Sequence, residues 1–137
     1  GMNNDTMKSA GLLILRLVFG FVMIMHGIQK AFEWTPAGTV AAFEQMGIPM
    51  AAAAAYFAMA TERLGGTMII LGAGTRIAAA ASVVSMSGAL IFVHLAAGFS
   101  ASKGGYEYVL TLAAIAAAFF FTGAGKFSID ALFARRK

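Results

Sequence analysis

Arg16, His26, Glu62, His94 and Glu107 are the residues of this chain whose side chains do chemistry, and each lies inside or at the end of an apolar run. Guanidinium and carboxylate pair as ions. Imidazole titrates near neutral pH, and a carboxyl group pushed upward by burial can pass protons. With Tyr106 beside Glu107, the set is a candidate for ligand binding or a proton relay. An ionisable group in hydrocarbon costs at least about 2.5 kcal/mol, so each of these needs a partner inside the protein. No residue is assigned as catalytic or as a resident metal ligand, and whether the chain is an enzyme stays open.

The surroundings of these residues are close to oil. Hydrophobic residues make up 60 % of the 137 and charged residues 12 %, with a mean hydropathy of +0.80. A soluble protein carries about 25 % charged residues, so the outside of this one must meet a lipid bilayer. There is no cysteine, which removes disulfides, thiolate ligands and dithiol redox chemistry. The net charge of +4 comes from scattered or terminal basic residues, which excludes nucleic acid as a partner.

Four apolar segments follow one another, over 10–28, 49–71, 77–99 and 106–122. As helices rising 1.5 Å per residue, each spans the roughly 30 Å of a hydrocarbon core. The expected fold is all-α, an integral membrane four-helix bundle. A short tail (1–9) precedes the four-helix domain (10–122), and an interfacial segment (123–137) follows it. Gly1 before Met2 reads as an expression scar, and the first segment reads as a retained span rather than a signal, since it holds Arg16 and His26. Residues 29–48 read as the longest loop, with aromatics suited to headgroups. Ser128 is a plausible N-cap for a short surface helix. Lys8, Arg76, Lys126, Arg135, Arg136 and Lys137 fall on one side, against Lys30 and Lys103 on the other. That bias predicts both termini in the cytoplasm.

Counting depth along these spans places Arg16 and Glu62 in one polar layer, and His26, His94 and Glu107 in another. The first layer reads as a structural Arg16–Glu62 ion pair, with Arg63 about 100° round the helix. Helical phase puts Glu107, Thr111, Ala114 and Ala118 on one inward face of the last span. It gives Ala80, Ser87 and His94 a second inward face, and Ala58, Glu62 and Gly66 a third, with Phe119, Phe120 and Ile91 facing lipid. Two histidines and a carboxylate have the chemistry for Zn, Fe or Cu, but residues from three helices carry no ligand spacing. A quinone or other polar-headed amphiphile held by His, Glu and Tyr106 or Tyr108 fits the second layer better.

The order and spacing of several fragments carry a resemblance. They are Arg16-x-x-x-Gly20, His26-Gly27 with Lys30, Gly47-Ile48-Pro49, Glu62-x-x-Gly65-Gly66, Gly72 and Thr75-Arg76. His94 with Gly98-Phe99, Gly105-Tyr106-Glu107, Gly123-x-Gly125 and Ser128-x-Asp130 complete the series. Through almost its whole length the chain resembles the DoxX family of small four-helix membrane proteins. The resemblance implies a multi-pass protein of the bacterial inner membrane. It also implies association with redox systems, as a membrane subunit or partner linked to quinones or oxidative stress. A non-catalytic scaffold or assembly factor and a small proton-coupled transporter are the alternatives. A redox-protein partner and a homo-oligomer are the expected associations.

Overall fold

The computed structural model describes residues 3–134, and all regular structure among them is helical, with no strand. Asn3 starts helix α1 (Asn4–Ile28), its Oδ1 accepting from the Thr6 amide at 2.8 Å. The helix continues without a break into a π-helical turn, Gln29–Glu33. Thr35 then starts α2 (Pro36–Gln45), its Oγ1 accepting from the Gly38 amide. Pro36 sits at the first helical position, where an absent N–H breaks no bond. The loop expected over 29–48 is therefore largely helical. Its start signal is Thr35-Pro36, and of its aromatics Phe32 and Trp34 stay 74 % and 43 % exposed.

Helix α3 (Ala51–Ala60), a π turn (Thr61–Gly65) and α4 (Gly66–Leu71) form one continuous rod. Helix α5 (Thr75–Ala89) runs through a third π turn (Leu90–His94) into a single 3-10 turn. Helix α6 is Glu107–Thr122 and α7 is Ile129–Ala134. Two of these rods, Asn4–Glu33 and Thr75–Ala97, are long and apolar enough to cross a membrane, and Glu107–Thr122 is apolar but shorter. Only 28 % and 22 % of the apolar stretches of the two long rods are buried. They are therefore not the core helices of a water-soluble domain: Ile14 is 63 % exposed and Ile77 75 %, and contiguous apolar surface of this kind marks contact with something other than water.

Helix α1 packs against α4 and the π turn before it, α5 packs along α6, and α2 rests on α3. The core joins Phe19 and Met23 to Ile69, to Ala78, Ala79 and Met86, and to Leu112, Ala116 and Phe119. Gly20 and Gly66 set the closest crossing. A Cβ on Gly20 would lie 2.6 Å from the Gly66 carbonyl oxygen, so small residues here let two backbones touch.

The inward faces are partly as expected. Ala58, Glu62 and Gly66 are all buried. On α5 the buried set is Ala78, Ala79, Ser82 and Met86, while Ala80 and Ser87 are half-buried. On α6 the expected face is overturned. Thr111, Ala114 and Ala118 are exposed, and Val109, Leu112, Ala116 and Phe119 are buried. The reason is complementarity. Helix α5 brings small residues to this contact, so α6 fills it with large ones, and Phe119 goes inward instead of toward lipid.

Candidate functional site

Arg16 does not meet Glu62. It is 1 % exposed, and its guanidinium donates only to carbonyl oxygens. Nε reaches Ile69 O at 2.8 Å, Nη2 reaches Ile70 O at 2.8 Å, and Nη1 reaches Ala124 O at 3.1 Å and Phe127 O at 2.9 Å. Ile69 and Ile70 lie in the last turn of α4, where carbonyls have no helical partner and the helix dipole is negative. A rigid fork of donors fits four such acceptors better than it fits one carboxylate. The expected depth alignment is accordingly wrong. Arg16 is level with the end of α4, and Glu62 lies seven residues back along that rod, roughly 10 Å at 1.5 Å per residue.

Gly72 roofs this arginine. It ends α4 with φ of 66°, and a Cβ there would sit 2.7 Å from Nη2 of Arg16. Asp130 closes the same corner. Its amide donates to Gly72 O at 2.8 Å, and its carboxylate accepts from the Gly74 and Thr75 amides at 2.8 and 3.1 Å. Burial works against the Asp130 charge, but those two amides, with Arg16 nearby, hold its carboxyl below the usual range. Ser128 caps α7, as expected, accepting from the Ala131 amide at 3.1 Å. Arg135, Arg136 and Lys137, on which the predicted charge bias leans, lie outside the described residues.

Glu62 pairs with Lys30. Nζ stands 2.9 Å from Oε1 and 3.1 Å from Oε2, with the two side chains 13 % and 3 % exposed. Lys30 Nζ also lies 5.6 Å from the centre of the Trp34 ring, within the range of a cation–π contact. This pair forms one wall of a cavity of about 590 Å³ between the helices. Apolar side chains make up most of the lining, including Met23, Phe57, Met86, Phe92 and Leu112. Helix α2 and its return turn add Phe43, Met46, Ile48 and Pro49. A large apolar cavity with a few converging polar groups is the usual form of a small-molecule site.

Besides the ion pair, Gln29, Ser85, His94 and the His26–Tyr108 pair bring polar groups to the cavity. His26 stacks on Tyr108, with ring centroids 5.8 Å apart, and its Nε2 is 3.3 Å from the Tyr108 hydroxyl. His94 donates from Nδ1 to the Gly104 carbonyl at 2.7 Å. A carbonyl only accepts, so Nδ1 carries a proton. The cavity thus offers a hydroxyl–imidazole pair, a second imidazole, the Gln29 amide, the Ser85 hydroxyl and an ion pair whose charges cancel. That set is suited to a neutral ligand with hydrogen-bonding groups on an apolar body.

Among the residues singled out from sequence, the structure brings His26, Glu62 and His94 to this cavity and leaves out Arg16, Tyr106 and Glu107. Glu107 instead accepts from the Ala101 amide at 3.1 Å and braces the loop before α6. Tyr106 packs edge-on against Phe99. The His–His–Glu layer is broken up, and among the described residues no three His, Asp or Glu side chains gather as a metal would require. Of the two tyrosines offered as ligand holders, Tyr108 lines the cavity, while Lys30 and Trp34 are partners that sequence reasoning passed over. Lys30 was legible, since it stands four residues after His26 and shares its helix face. All three π turns among the described residues lie here, carrying Lys30, Glu62 and His94. Such turns interrupt the 3.6-residue phase and recur at functional sites.

The DoxX family profile matches residues 11–95 of the chain. A Bacillus subtilis (strain 168) protein named "Putative oxidoreductase CatD" is 33 % identical over 105 residues, covering 77 % of this chain and 75 % of that protein. The Mycobacterium tuberculosis membrane protein Rv3486 is 35 % identical over 85 residues, 62 % of this chain and 52 % of that one. A Haemophilus influenzae protein is 31 % identical over 140 residues, 98 % of this chain and 100 % of its own. No solved structure matches.

Proposed function

The chain belongs to the DoxX family of membrane proteins, and from that premise we propose that it is a multi-pass inner-membrane subunit or partner of a redox system. In this reading it holds a quinone-class ligand between four membrane-crossing rods. The single observation that carries the reading is the cavity. It is apolar over most of its lining and has neutral hydrogen-bonding groups, His94 and the His26–Tyr108 pair, at separate places on its wall. Quinone carbonyls accept and quinol hydroxyls donate. His26, Tyr108 and His94 supply both kinds of counterpart, while Lys30 and Glu62 cancel each other's charge. The relative named an oxidoreductase supports a redox setting. Residues 10–122 form the membrane domain in this proposal. Both termini face the cytoplasm, and electrons pass to or from a separate redox protein, because this chain has no cysteine of its own for the purpose.

Trp34 makes the test direct. It is the chain's one tryptophan, and it lines the cavity. A short-tailed quinone added to the purified protein in detergent is expected to quench Trp34 fluorescence saturably. Tyr108→Phe and His94→Ala should each weaken that binding severalfold. Linear, unsaturable quenching, with no quinone retained on purification from native membranes, would overturn the proposal.

A further inference from the structure

The hairpin made by the α3–α4 rod and α5 is closed at one end and open at the other. A tight turn at Gly72 and Gly74 joins α4 to α5. At the π turn the two rods still touch, for a Cβ on Gly65 would lie 4.0 Å from Cβ of Ala78. Beyond that turn they part. Helix α5 packs against the π turn and along α6, and α3 packs against α2, but α3 and α5 do not pack along each other.

The cavity reaches into this gap. Ala54, Phe57 and Ala58 line it from α3, and Val84, Gly88 and Phe92 line it from α5 and the π turn that follows. Phe57, Val84 and Phe92 line the cavity and are nonetheless 42 %, 63 % and 44 % exposed. A Cβ on Gly88 would meet no neighbouring atom within 4 Å. These residues are the lips of a sideways opening. Phe57 lies roughly 9 Å along its rod from Ala51, and Val84 roughly 14 Å along its own from Thr75, at 1.5 Å per residue. With both rods crossing a bilayer, the opening faces hydrocarbon.

We propose that the gap between α3 and α5 is a lateral portal, and that the ligand is a quinone carrying a long hydrocarbon tail, which enters from the bilayer and leaves its tail between Phe57, Val84 and Phe92. The proposal rests on the quinone reading of the cavity and names the form of quinone it takes. Apolar lips favour a hydrocarbon chain over a hydrated ligand. The His26–Tyr108 pair comes from α1 and α6, so a quinone head held there leaves the lips free for the tail.

Trp34 quenching in lipid nanodiscs tests this, with a decyl-tailed and a tail-free form of one benzoquinone. Each is titrated into wild type and into Gly88→Phe. The added ring fills the open lip, and the change removes a glycine from a helix interior, which favours the fold. A given quinone partitions into the same lipid for both proteins, so the ratio of the two apparent Kd values is free of partitioning. Gly88→Phe should lose at least tenfold more affinity for the decyl quinone than for the tail-free one. Val84→Phe, at a position already exposed, is a second plug and should shift the same ratio in the same direction. Equal losses for the two quinones, or no loss for either, would overturn the portal and leave the quinone site standing. Absence of saturable quenching by either quinone in the wild type would instead remove the quinone reading, and the portal with it.

Discussion

Lys30 and Glu62, 32 residues apart, form a buried ion pair in which Nζ lies 2.9 Å from one carboxylate oxygen and 3.1 Å from the other. The pair ties the π turn at the end of α1 to the π turn in the middle of the second rod, and it gives the cavity a charged but neutralised wall. Its partners also fix α2 in place. The fully buried Thr39 hydroxyl shares its one proton between the Thr35 carbonyl at 2.8 Å and the Lys30 carbonyl at 3.0 Å.

Removing one charge should therefore leave the other buried and unpaired. Glu62→Gln or Lys30→Met alone is expected to destabilise the protein by about 3–5 kcal/mol. The double substitution should recover much of that loss. Arg16→Met combined with Glu62→Gln should instead show additive losses, because the two residues share no contact. Thermal unfolding of these variants and of Arg16→Met alone, five in all, in one detergent gives both cycles, and recovery in the Arg16 pair would contradict the geometry.

Arg16 itself should tolerate no replacement. Hydrogen bonds to a charged group contribute about 1.5–3 kcal/mol each and do not add simply, so Arg16→Met should cost at least about 3 kcal/mol. Arg16→Lys keeps the charge but loses the fork that reaches Ile69, Ile70, Ala124 and Phe127 at once. It should rescue less than half of the loss. Protease protection of the segment after α6 is the finer measurement, since two of the four acceptors lie there.

The Asp130 clamp predicts an acid limb. Its carboxyl is held below its ordinary value, chiefly against burial, by the Gly74 and Thr75 amides. A group with a depressed folded pKa stabilises above its unfolded value of about 3.9 and loses that contribution as pH falls through the folded value. Asp130→Ala should cost about 0.5–2 kcal/mol at pH 7, as loss of a helix cap does. The gap to wild type should close as the pH falls toward 3. An unfolding midpoint measured from pH 3 to 7 checks the sign: a gap that widens in acid would show that the carboxylate is not the clamp.

Thr35 and Met50 bracket the segment that carries α2, and both adopt positive φ, 63° and 50°, without being glycine. Such backbone costs on the order of 1–3 kcal/mol. Met50→Gly should relieve it and leave stability unchanged or raised. Thr35 also caps α2 through its hydroxyl. Thr35→Gly should then be less harmful than Thr35→Ala, which loses the cap and keeps the strain. Melting temperatures of the three variants decide this, and the reverse order for Thr35 would remove strain as the cause.

The amino-acid sequence by itself determined the helical class and the apolar runs, because hydropathy and the absence of charge are local properties. It also marked the N-cap at Ser128 and the inward face of Ala58, Glu62 and Gly66, where small residues recur four positions either side of the carboxylate. It singled out His26, Glu62 and His94, since a polar group in an apolar run is visible without coordinates. Partnership was a different matter. Depth counted along straight helices misaligned Arg16 with Glu62, because register between rods is set by contacts such as Gly20 against Gly66, which span length does not encode. The three π turns, which bring Lys30, Glu62 and His94 to one cavity, break the period on which phase arguments depend. The inward face of α6 was decided by the small residues of α5 opposite it. Which carbonyls needed Arg16 emerged only when the ends of α4 and α6 met at one corner, for an unsatisfied helix end finds its donor in space and not in sequence.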